Sequence, residues 1–166
     1  MPEATAYARR VTGGVVVTGD SGAEAGFGAP ARPDEVWQTA RGRLVVSHPG
    51  NAVMLFTYDG YATADFVPFI EGAVDRVLAT GMRPDVFIDL DRIEGYDSEY
   101  RQAVSKWGAR TYRRLGEVRF LVRSRIVAMG IAVSNLTAGG QLKPTTKRAE
   151  FQAALQSAVA RQAARA

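Results

Sequence analysis

The run DVFIDLD at positions 85–91 constrains the fold more than any other stretch of the chain. Val86, Phe87, Ile88 and Leu90 fall on both alternating sets of positions. Successive side chains of an extended strand point to opposite faces, so this strand needs apolar cover on both sides. Such a strand belongs in the middle of a sheet with helices on either face. Arg83-Pro84 just ahead stops any helix from running into it.

The segments around it alternate in period. Leu44–Ser47 and Val53–Tyr58 are rich in β-branched and aromatic residues and are split by Pro49-Gly50-Asn51, which predicts a hairpin turning at those three residues. TADFVPFIEGAVDRVLATG (63–81) reads as a helix capped by Thr63 or Asp65, with Pro68 in its first turn and Gly81 ending it. Phe66, Ile70, Val74, Val77 and Leu78 make its buried face. A second helix starts at Asp97 and carries Tyr100, Val104, Trp107, Thr111 and Leu115 along one side.

VRFLV (118–122) is the next strand, and QLKPT (141–145) a short edge strand, where proline is tolerated. SRIVAMGIAVSNLTAGG (124–140) fits both periods; Ser124 as a cap and the terminal glycines favour a helix. The chain closes on an Ala-rich helix with Phe151, Leu155, Ala158 and Val159 on one stripe. The expected fold is α/β: a mixed sheet that begins with a hairpin and continues with alternating strands and helices, about four helices in all. Residues 1–42 form a Gly/Ala/Pro-rich arm in which VVVT can make one short strand, and residues 43–166 form the domain.

At 166 residues the chain has room for one core. No apolar run reaches the ~20 residues of a membrane helix. The first residues hold two arginines with no apolar stretch behind them, so no signal peptide is expected and the location expected is cytoplasmic. There is no cysteine and one histidine, which excludes disulfides, thiol catalysis, cysteine-bound zinc and a histidine metal cluster. His48, at the hairpin edge, reads as a packed or surface side chain. GDSG (19–22) lacks any His-Asp context for a serine nucleophile. The net charge of +4 comes with no nucleic-acid-binding motif, so nucleic acid is not an expected partner. An acidic group, Asp89, Asp91, Glu94 and Asp97, sits at the end of the central strand, where α/β enzymes place chemistry, but no nucleophile–base set accompanies it.

The order of elements, with VFIDL as strand, DRIEGY as loop and Asp97-Ser98 opening a helix, resembles the STAS domain of anti-sigma-factor antagonists and their SpoIIAA-like and SEC14-like relatives. The resemblance covers roughly residues 43–160. It implies a non-enzymatic regulatory or scaffolding module that binds a protein of anti-sigma-factor or kinase type. It further implies that Ser98 is phosphorylated or contacts the partner, with Glu94, Asp97, Glu99 and Arg101 around it. Glu99-Tyr100 stand where that family often has another small hydroxyl residue and glycine. By its residue type alone Asp97 is a favoured helix cap. No catalytic residue, metal ligand or cofactor is expected, and a homodimer is compatible with the pattern. The SEC14-like side of the resemblance implies an alternative: a small-molecule or lipid-binding domain, with apolar and aromatic residues of the first and third helices lining a pocket.

Overall fold

A computed structural model describes residues 34–135 and 139–164, with the side chains of Ile126 and Ser134 left aside. The elements are β1 (Glu35–Gln38), β2 (Gly42–Gly50), β3 (Val53–Ala62), α1 (Phe66–Leu78), β4 (Asp85–Tyr96), α2 (Ser98–Thr111), a 3-10 turn (Tyr112–Arg114), β5 (Val118–Leu121), α3 (Arg125–Ser134), β6 (Leu142–Thr145) and α4 (Arg148–Ala163). The strands form one sheet in the order β1-β2-β3-β4-β5-β6. β1, β2 and β3 pair antiparallel, and β3 to β6 pair parallel.

Parallel neighbours need crossovers, and α1, α2 and α3 supply them in turn. α1 and α2 cover one face with Leu44, Val46, Met54, Phe56 and Tyr58 beneath them. α4 covers the other face, where Val53, Phe87 and Leu121 meet Phe151 and Ala158. The two-sided apolar pattern of the central strand is thereby explained: Val86 belongs to the first cluster and Phe87 to the second. Phe87 and Phe151 meet edge to face with ring centroids 5.6 Å apart. Burying each such side chain contributes about 1.5–3 kcal/mol.

Several expectations need correction. The hairpin turns at Asn51-Ala52, and β2 continues through Pro49 and Gly50 by a register shift between Ser47 and Gly50. DRIEGY is strand, not loop: β4 runs to Tyr96 and pairs with Asp59–Ala62 of β3 across two register shifts. The sheet also takes in β1, ahead of residue 43, whose partner is β2. Neither Thr63 nor Asp65 caps α1 with its side chain; Phe66 N–H donates to the Thr63 carbonyl instead. VVVT and GDSG lie outside the described residues. The expected helix at 124–140 is α3, and QLKPT contains the edge strand β6. Gly81 adopts φ of 81° just beyond α1, a left-handed conformation that glycine takes without strain.

Candidate functional site

The face under α1, α2 and α3 is not completely filled. Phe56 and Tyr58 from β3, Ile88 and Leu90 from β4 and Phe120 from β5 form the floor of a cavity of about 450 Å³. Tyr100, Val104 and Trp107 of α2 make one wall. Val127 and Ile131 of α3 make the other. α3 is anchored along β6, at the sheet edge, which leaves space between it and α2. Cavities of this size, with mostly apolar walls and a few polar groups, are typical of small-molecule sites.

Three phenols supply the interior polarity. Tyr58 and Tyr100 are 4% and 8% exposed, and their hydroxyls are 2.9 Å apart, with Tyr100 donating to Tyr58. Tyr112, from the 3-10 turn, lines the same cavity and lies close enough to interact electrostatically with both. Burial, then Tyr100 beside it, pushes Tyr58 well above the ordinary tyrosine range. Burial pushes Tyr100 up to about 12, against a lowering by the hydrogen bond to Tyr58. Burial also raises Tyr112. All three therefore stay protonated, and able to donate, at any physiological pH.

The charged lining residues are at the rim. Glu94, Arg101 and Arg123 are exposed, and Tyr96 beside them is 53% exposed. Asp97 is the N-cap of α2, its carboxylate accepting from Tyr100 N–H at 2.6 Å. This bond fixes the start of the helix that carries Tyr100 into the cavity. Ser98 and Glu99 follow in the first turn, both exposed. The structure thus brings Glu94 and Arg101 to the cavity rim and leaves Ser98 and Glu99 on the adjoining surface.

The acidic group does not converge. Asp89 and Asp91 are held on the α4 side by Arg148, each at 3.0 Å, while Glu94 is at the cavity rim and Asp97 caps α2. Among the described residues no three carboxylates or histidines gather to hold a metal. His48, its side chain 5% exposed, faces Glu35 of β1 at 3.3 Å, and Glu35 also pairs with Arg76. Among the described residues no helix is long and apolar enough to cross a membrane.

No protein-family model and no curated protein matches the chain. Solved structures do. An uncharacterized protein of the DUF3478 family from Shewanella loihica PV-4, described as having a SpoIIAA-like fold, superposes with a TM-score of 0.53 at 12% identity, covering 79% of this chain and 99% of that one. This chain has the SpoIIAA-like, STAS-type fold. The anti-sigma factor antagonist SpoIIAA in its unphosphorylated form aligns at 13% identity and a TM-score of 0.49 over 64% of this chain and 91% of its own. An anti-sigma factor antagonist from Mycobacterium paratuberculosis aligns at 21% and 0.44 over 68% and 92%.

Within this SpoIIAA-like fold the pocket differs from the expected one. α2 and the strands line most of it, α3 adds Val127 and Ile131, and α1 adds Ile70. Tyr58, Tyr112 and Phe120 were not singled out by sequence. The one available signal for Tyr58 was its even-numbered register with Met54 and Phe56, which puts all three on one strand face.

Proposed function

We propose that this SpoIIAA-like domain is a non-enzymatic binding module that holds an apolar small molecule between its sheet and α2 and α3. The supporting observation is the cavity of about 450 Å³, walled by aliphatic and aromatic side chains and ringed by exposed polar ones. Of the carboxylates that suggested chemistry, Asp89 and Asp91 are engaged by Arg148 and Asp97 by the helix cap, while Glu94 stands exposed at the rim. Titration of the full chain with 8-anilinonaphthalene-1-sulfonate is expected to give one saturable site per molecule. Val104→Trp, which fills the cavity from α2, is expected to abolish it while the circular dichroism spectrum is retained. Absence of saturable binding in the unmodified chain, or binding that survives Val104→Trp, would overturn the reading.

A second reading draws on Ser98: a regulatory protein-interaction surface, switched by phosphorylation, at the start of α2. It is supported by the exposure of Ser98 one residue after the cap and two before Tyr100. Phosphate there adds about −1.5 to −2 charges at a helix N-terminus, which tolerates them. Ser98→Asp is expected to leave the unfolding midpoint within about 0.5 kcal/mol of stability and to change affinity for the protein captured by the full chain. Unchanged affinity, with Ser98 never found modified, would contradict it.

A further inference from the structure

We propose that the cavity selects an aromatic ligand bearing a neutral carbonyl oxygen, which accepts hydrogen bonds from the cluster of Tyr58, Tyr100 and Tyr112. The inference rests on the ligand-binding reading above and names the chemistry of what that site takes.

Each phenol carries one O–H donor. Tyr58 and Tyr100 share one hydrogen bond, so whichever of them donates, one proton of the pair is left over. Tyr112 is half-buried and lines the same cavity, with its hydroxyl end against Gly108 of α2. One buried O–H of the Tyr58–Tyr100 pair is therefore left among the side chains that line an apolar cavity, with the Tyr112 phenol near both. A buried donor without an acceptor is costly, and a ligand oxygen would satisfy it.

The acceptor is neutral because of where the charges are. Glu94, Arg101 and Arg123 are the charged lining residues, and all three are exposed at the rim. An ionised headgroup is stable near them and costly among the phenols, which have no cation beside them. A ketone or quinone oxygen accepts from neutral donors without bringing a charge into the cavity. The ligand body is aromatic because Phe56, Trp107 and Phe120 line the same space and offer ring faces and edges for offset or edge-on contact.

The test uses two probes of one shape, 1-acetonaphthone and 1-isopropenylnaphthalene, which differ by a carbonyl oxygen in place of a methylene. Both are titrated into the full chain, with binding followed by ligand-observed NMR. The ketone is expected to bind about tenfold more tightly, the span of one well-made hydrogen bond. The triple variant Tyr58→Phe, Tyr100→Phe, Tyr112→Phe keeps the ring volumes and is expected to bind both probes equally. Equal binding by the unmodified chain overturns the inference and leaves the cavity reading standing. A preference that survives in the triple variant also overturns it, since the oxygen is then read elsewhere. Binding of neither probe overturns the cavity reading together with the inference. Should the triple variant fail to fold, the comparison of the two probes on the unmodified chain decides alone.

Discussion

Tyr100 donates a 2.9 Å hydrogen bond to Tyr58, a residue 42 positions earlier, and the pair joins α2 to the floor strand β3 inside the cavity. Both phenols are more than nine-tenths buried and are held neutral by that burial. Their folded-state pKa values lie above that of an unfolded tyrosine, which is near 10. The stability they contribute is fully present below about pH 10 and is lost as pH rises, for Tyr100 through about 12. Above pH 10 the unfolded chain gives up protons that the folded chain retains, so unfolding becomes easier. Stability measured by urea denaturation is expected to fall above pH 10, with Tyr100 alone contributing about 1.4 kcal/mol per pH unit up to about pH 12. Tyr100→Phe is expected to flatten that slope. The same slope in the variant would mean that Tyr100 does not titrate with folding.

Arg148 at the start of α4 holds the two carboxylates Asp89 and Asp91 at the end of the apolar part of β4. Asp89 is 9% exposed and keeps one further hydrogen bond, from Asp91 N–H at 2.9 Å. Arg148→Met is expected to cost about 1 kcal/mol, mainly by leaving the Asp89 carboxylate short of a partner; the guanidinium is half-exposed, which limits the loss. The double variant Arg148→Met, Asp89→Asn is expected to recover part of it. A double variant less stable than Arg148→Met would show that Asp89 has a role beyond this pair.

Gly42 begins β2 where the strand passes close to β3. A Cβ there would stand 2.8 Å from the Tyr61 backbone nitrogen and collide with the Tyr61 carbonyl oxygen. Gly42→Ala is expected to destabilise by about 2 kcal/mol or more, because backbone on both strands must move. The unfolding midpoint in guanidinium checks this, and Gly72→Ala, near only a flexible Arg76 side chain, is the control expected to be neutral or stabilising.

Much of the scaffold was legible because local pattern and tertiary role coincide. DVFIDLD is apolar on both faces because α1 and α2 cover one and α4 the other. Phe66, Ile70, Val74 and Val77 keep a helical period because one side of α1 is buried. DRIEGY reads as loop by sequence because its strand character comes from pairing with the tail of β3, across register shifts no local pattern encodes. Pro49-Gly50 pointed to the turn, yet a bulge lets β2 run through both. β1 escaped notice because four residues with alternating half-burial give almost no periodic signal.

The cavity was less legible. An inward-facing Phe, Tyr or Trp reads the same whether it meets another side chain or an empty space. Only the placement of α3 along β6, away from α2, opens the gap that Phe120, Tyr112 and Val104 line. Ser98, by contrast, stood out in sequence and occupies an exposed first turn next to the rim.

The central claim is that an apolar ligand enters the cavity between the sheet and α2 and α3. Methyl-resolved NMR of the full chain, titrated with 1-acetonaphthone, tests it most directly. The account predicts saturable shifts at Ile88, Val104 and Ile131, with Leu155 and Val159 on the α4 face unmoved. Shifts confined to the α4 face, or none at saturating probe, would contradict it.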